Sequence, residues 1–169
     1  MGHQIKYLVM DVDGTLTDGK IYMGENGEMF KVFDIKDGYG IKELLPQHGI
    51  IPVIITARES KILENRCKEL NISILYQGIR NKLDKLQKLI IEYNDINETD
   101  IGLKNCAYIG DDLLDLQCMD PIKAAGGLVG CPSDAVEKVK EIACYVSEYK
   151  GGEGAVRDFI EWLVEQEGL

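Results

Sequence analysis

Short apolar runs, rich in β-branched residues, alternate with longer amphipathic stretches along the 169 residues. "IKYLVMD" (5–11) predicts a buried strand. "GKIYMGENGEMFKVFD" (19–34) predicts a hairpin over about 20–33, because two alternating segments flank Glu25-Asn26-Gly27 and Asn-Gly marks a tight turn. "DGYGIKELLPQHG" predicts a short helix from Gly38 to His48, with Ile41, Leu44 and Leu45 on one side and Gly49 as the stop. "IIPVIIT" predicts a second buried strand with Pro52 near its start. "RESKILENRCKELN" carries a helical stripe of Ile62, Leu63, Cys67 and Leu70. "ISILYQG" follows as a strand, and "NKLDKLQKLIIEYN" as a helix burying Leu83, Leu86, Leu89, Ile90 and Tyr93.

"NCAYIGDD" predicts the next strand, and "DLLDLQCM" a short helix ended by Pro121. "AAGGLVG" predicts a weak strand, "SDAVEKVKEI" a helix capped by Ser133, and "ACYVS" a last strand. "EGAVRDFIEWLVEQEG" closes the chain as an amphipathic helix. Strands alternating with helices imply an α/β fold: a Rossmann-like three-layer sandwich with a mostly parallel sheet and an inserted β-hairpin. With no linker or repeat in view, residues 1–169 are expected to form one domain.

Composition narrows the classes. A formal net charge of −10 disfavours non-specific binding to nucleic acid or an anionic membrane. The five cysteines form no CxxC pair, which argues against a zinc site or a secreted disulfide framework. No apolar run reaches membrane-spanning length, and the N-terminus lacks a signal-peptide layout, so a cytoplasmic protein is expected.

In an open α/β sheet, ligands bind beyond the carboxyl ends of the strands. Asp11 and Asp13 follow the first strand, Thr56 the second within the parallel set, Lys82 comes shortly after the third, and Asp111, Asp112 and Asp115 follow the fourth. Singly, Asp13-Gly14 fits a turn, Thr56 a helix cap, Lys82 a solvated first-turn lysine, and Asp111-Asp112 a cap. Together they bring several carboxylates, a hydroxyl and an ammonium to one rim. Carboxylates that close cannot all ionise unaided, and a hard cation such as Mg2+ resolves the conflict.

"DVDGTLTDG", the threonine closing "VIIT", Lys82 and "GDDLLD" resemble, in order, the four motifs of the haloacid dehalogenase superfamily. "ITAR", "YQG", "NK" and "GGEGAVR" are similar to its small capless subgroup, which contains 3-deoxy-D-manno-octulosonate 8-phosphate and 2-keto-3-deoxynononate 9-phosphate phosphatases. The subgroup commonly has glycine where Ala57 stands. The resemblance implies a magnesium-dependent phosphatase with no cap domain. Asp11 would be the nucleophile, Asp13 the general acid and base, and Lys82 and Thr56 phosphate ligands. Mg2+ would be held by Asp11, the Asp13 carbonyl and Asp111, with Asp112 and Asp115 behind them.

Ala57, Arg58, Arg66 and Arg157 join Thr56 and Lys82 as candidate substrate-binding residues. Within the subgroup, octulosonate phosphatases tend to carry arginine where Arg58 stands and nononate enzymes glutamate, so the resemblance implies the octulosonate 8-phosphate ahead of a nononate or acylneuraminate 9-phosphate, with Arg58 paired bidentately to the substrate carboxylate. No segment before Lys82 has room for a lid. Ile21, Met23, Met29, Val32 and Phe33 load the hairpin with apolar surface, and the subgroup's habit is a homotetramer in which hairpins meet. Two other classes stay open. A receiver-like domain would place its phosphoacceptor after the third strand, and a non-catalytic assembly domain would be expected to have lost motif residues that this chain keeps.

Overall fold

The computed structural model describes residues 4–168. Six parallel strands form the main sheet, in the order β5-β4-β1-β6-β7-β8. The strands are β1 (Tyr7–Met10), β4 (Ile51–Ile55), β5 (Ile74–Tyr76), β6 (Cys106–Ile109), β7 (Leu128–Cys131) and β8 (Tyr145–Val146). β1 lies at the centre, with Met10 opposite Ile54 of β4 and Ile109 of β6. The chain runs outward through β4 and β5, then returns to the other side of β1 at β6. That reversal opens a crevice between the carboxyl ends of β1 and β6.

Both faces of the sheet are covered. Alternation along β1 sends Leu8 and Met10 into one core and Tyr7 and Val9 into the other. The first core receives Leu63 and Cys67 of α3 (Lys61–Glu69) and Phe159 and Ile160 of α7 (Ala155–Gln166). The second receives Leu86 and Leu89 of α4 (Lys82–Asn97), Met119 and Ile122 of α5 (Leu116–Ala124), and Val139 of α6 (Glu137–Ile142). Leu8, Val9 and Met10 are completely buried. Each such side chain stabilises the fold by about 1.5–3 kcal/mol, and together they anchor the strand whose end carries Asp11. Among the described residues no helix is long and apolar enough to cross a membrane.

The remaining elements correct the sequence reading in places. The first helical run begins at Ile35, earlier than Gly38, because the Asp34 side chain accepts from the Lys36 amide. It passes from α1 (Ile35–Tyr39) through a π-helical turn (Gly40–Leu44) into α2 (Leu45–Gln47). At Gly40 a Cβ would stand 3.0 Å from Ile160 and 3.2 Å from Arg157, so the absent side chain lets α7 approach closely. Pro121 lies inside α5 rather than ending it. The lost amide costs one helical bond, and burial of Cys118, Met119 and Ile122 carries the helix through. Ser133 does not cap α6, which starts at Glu137 after an extended Val136.

The hairpin, β2 (Tyr22–Gly24) and β3 (Gly27–Phe30), forms its own two-stranded sheet. Tyr22 stacks on Phe30 with centroids 4.6 Å apart. Ile21, Met23, Met29, Phe30 and Val32 are exposed. Phe33, expected among them, instead packs against the first core with the Arg66 guanidinium over its ring. Phe30, 47% exposed, joins the exposed set.

Candidate active site

The crevice beyond β1 and β6 holds a cavity of about 270 Å³ lined by Asp11, Asp13, Thr56, Ala57, Arg58, Lys82, Asp112, Leu114 and Asp115. Asp11, Asp13, Thr56, Ala57 and Arg58 come from the ends of β1 and β4 or the loops after them, Lys82 opens α4, and Leu114 and Asp115 lie in a 3-10 turn (Leu113–Asp115) after β6. Asp11 follows β1 directly, and its amide donates to the Ile109 carbonyl at 3.1 Å, continuing the ladder one step past the strand. Thr56 follows β4, is buried, and is held by its amide to the Tyr76 carbonyl. No helix begins at once after Thr56: α3 starts at Lys61, so the expected helix terminus beside it is replaced by a turn.

Lys82 is the first residue of α4, beside the Asn81 cap, and its side chain is 1% exposed. A helix N-terminus repels a cation, and burial alone would discharge it. Two carboxylates reverse both effects. The ammonium lies 2.9 Å from Asp11 Oδ1 and 2.8 Å from Asp115 Oδ1. Burial works to lower the Lys82 pKa, but the charges and hydrogen bonds of Asp11 and Asp115 outweigh it and hold it above the ordinary value.

Asp115 is saturated. Its Oδ1 accepts from Lys82 and from the Tyr108 hydroxyl at 2.6 Å, and its Oδ2 accepts from the amides of Asp111 and Asp112. Its work is to fix Lys82 and the turn that presents Asp111. Asp112 takes a different place: its carboxylate caps the Leu113 amide at the exposed rim.

Carboxylate oxygens of Asp11, Asp111 and Asp115 all lie within 4.8 Å of one another. Burial, then the neighbouring Asp115, push Asp11 up to about 6 against the pull of Lys82. Burial, then Asp11 and Asp115, push Asp111 up to about 8. Lys82 supplies one positive charge to three carboxylates, so the cluster is short of cation. A hard divalent ion with oxygen ligands fits that deficit, with Asp11 and Asp111 as the carboxylates not already filled by donors. Gly14 keeps the space open. Its φ is +90°, and a Cβ there would stand 2.0 Å from Asp111 Oδ2.

Two expected substrate ligands lie elsewhere. Arg66 packs between Gly38, Leu70 and the Phe33 ring and pairs with Glu69. Arg157 stacks over Tyr39 and pairs with Glu161 at the start of α7. Neither lines this cavity, because α3 and α7 lie on the sheet face opposite α4. Sequence reasoning also missed four residues that reach this site. Thr15 donates to Asp111 Oδ1 at 3.2 Å, and Tyr108 donates to Asp115. Lys31 and Glu28 arrive from the hairpin, with the Lys31 ammonium 2.7 Å from Asp13 Oδ1. Tyr108 had left a faint signal, as the one hydroxyl in the otherwise apolar "CAYI".

No family model matches the chain. It is 42% identical over 165 residues to the 3-deoxy-D-manno-octulosonate 8-phosphate phosphatase KdsC of Escherichia coli (strain B), covering 97% of this chain and 81% of that protein. A crystal structure of the same-named phosphatase from Moraxella catarrhalis, in complex with magnesium, phosphate and KDO, superposes with a TM-score of 0.83 at 36% identity, covering 98% of this chain and 89% of that one. A Legionella pneumophila structure assigned to HAD superfamily subfamily III A superposes with a TM-score of 0.84 at 34% identity, covering 98% and 85%.

Proposed function

We propose a function from one premise: the chain belongs to the 3-deoxy-D-manno-octulosonate 8-phosphate phosphatase family of the haloacid dehalogenase superfamily. It is a magnesium-dependent phosphoric monoester hydrolase acting on 3-deoxy-D-manno-octulosonate 8-phosphate. The observation that carries this reading is the convergence of Asp11, Asp111 and Asp115 around one point with the buried Lys82 beside them.

Asp11 is the nucleophile in this reading. Lys82 holds its Oδ1 at 2.9 Å, which leaves Oδ2 to attack phosphorus. The phosphorus–sugar-oxygen bond breaks, and Asp13 gives its proton to the departing oxygen. Asp13 then takes a proton from water, the water oxygen attacks phosphorus, and Asp11 is released with inorganic phosphate. Splitting the hydrolysis into two displacements is what covalent catalysis achieves. Asp11, the Asp13 backbone carbonyl and Asp111 would hold magnesium, which supplies charge neutralisation between an anionic nucleophile and an anionic phosphate. Thr56, with the backbone at Ala57, faces the phosphate. Arg58 faces the substrate carboxylate. Arg66 and Arg157 take no part within the same chain.

The residues form one domain, and the enzyme works in the cytoplasm as a homotetramer whose exposed hairpin faces meet. The test is phosphate release from a panel of keto-sugar phosphates, with and without magnesium, beside Asp11→Asn. The octulosonate 8-phosphate is expected to turn over faster than nononate or acylneuraminate 9-phosphates, and Asp11→Asn to lose about 10³-fold or more. Equal rates for the variant, or full activity after chelation, overturn the reading.

A further inference from the structure

The hairpin turns its inner edge onto the site of its own chain. Lys31, just past β3, lies 2.7 Å from Asp13 Oδ1 and 3.1 Å from Glu28 Oε2. The Lys31 side chain is 4% exposed, against 20% for Asp13 and 13% for Glu28. An ammonium withdrawn that far from water is costly unless its partners are fixed. The contact is therefore unlike the surface ion pairs that contribute little. Arg58 approaches the same carboxylates, 3.3 Å from Glu28 and 3.8 Å from Asp13, but its side chain is 42% exposed. The two aspartates beyond β1 have separate cations: Lys82 for Asp11 and Lys31 for Asp13.

We propose that Lys31 is a positioning residue for Asp13, and that Glu28 holds Lys31 in place; the proposal rests on the phosphatase reading above. Lys31 engages Asp13 Oδ1 and leaves Oδ2 to carry the transferred proton. As the phosphorus–oxygen bond breaks, that proton passes from Oδ2 to the sugar oxygen. The charge left on Asp13 faces the Lys31 ammonium. Without Lys31 the carboxyl group is free to rotate away from the leaving oxygen, and general-acid assistance, typically worth about 10²–10⁴-fold, is partly lost.

The experiment compares kcat/KM for the sugar phosphate and for 4-nitrophenyl phosphate in the magnesium-loaded enzyme. An alkoxide needs the proton to leave, whereas nitrophenolate departs largely without it. Lys31→Met is expected to lower kcat/KM about 30-fold for the sugar phosphate and about threefold for the aryl phosphate. Glu28→Gln opens a smaller gap of the same sign, and Lys31→Arg, which keeps the cation, closes most of it. Equal losses on the two substrates, or no recovery with arginine, overturn the proposal and leave Lys31 a structural residue. Should Lys31→Met fail to fold, the same ratio is read on Lys31→Gln. Retained activity in Asp11→Asn instead sinks the phosphatase reading, so the two failures are distinguishable.

Discussion

Asp37 is a buried carboxylate far from the chemistry, and replacing it with asparagine should stabilise the protein at neutral pH. Asp37 sits in α1 and is turned inward at 2% exposure. Oδ1 accepts from the Arg157 amide at the start of α7, while Oδ2 has no partner among the described residues. Burial pushes its pKa from 3.8 to about 6, opposed by the α7 amides and assisted by Asp34. The folded state therefore binds this proton more tightly than the unfolded state. The resulting cost is absent below the unfolded value, grows as pH rises through the interval from 3.8 to about 6, and is fully present above it. That interval corresponds to ~3 kcal/mol, of which roughly half is gained between pH 5 and 8. Asparagine keeps the acceptor for Arg157 and carries no charge. Urea denaturation of Asp37→Asn and the native protein at several pH values, at constant magnesium, reads the difference. The stability gap should widen in favour of the variant by ~1–1.5 kcal/mol from pH 5 to pH 8. A gap independent of pH, or a variant less stable at pH 8, refutes the reasoning.

Lys82→Met leaves Asp11 and Asp115 facing each other without their shared cation. It should cost ~3–5 kcal/mol of stability in chelator and on the order of 10²–10³-fold in kcat. Added magnesium should recover part of the stability, read by thermal melts, and none of the rate. Charging the exposed hairpin with Met23→Lys and Met29→Lys, both 65% exposed in the single chain, should shift sedimentation velocity toward smaller species if the proposed tetramer forms through it. A native protein that sediments as a stable monomer removes the assembly proposal.

The architecture was legible because its strands are written as nearly unbroken apolar runs, which only a sheet covered on both faces can bury. The carboxylates at the strand ends were legible for the same reason: a charge placed directly behind "YLVM" or "CAYIG" must lie where the sheet opens. Other features were hidden. Pro121 and Ser133 carry strong local preferences that tertiary packing overrode. Arg66 and Arg157 look like substrate ligands by type, but only the packing of α3 and α7 shows that they face α1. Lys31 was illegible because alternation along a hairpin tells which residues share a face, not where the ribbon lies. Thr15 and Tyr108 were missed because a hydroxyl in a buried run reads as ordinary core until its acceptor is seen.

The ribbon over residues 22–30 shares no strand pairing with the six-stranded sheet. Its length and outline can change without disturbing the register that aligns Met10 with Ile54 and Ile109. Its tie to the catalytic rim runs instead through Glu28 and Lys31 beside Asp13. A descendant that kept that pair and remodelled the tip around Glu25 and Asn26 would inherit the sheet register and the ion pair on Asp13 together.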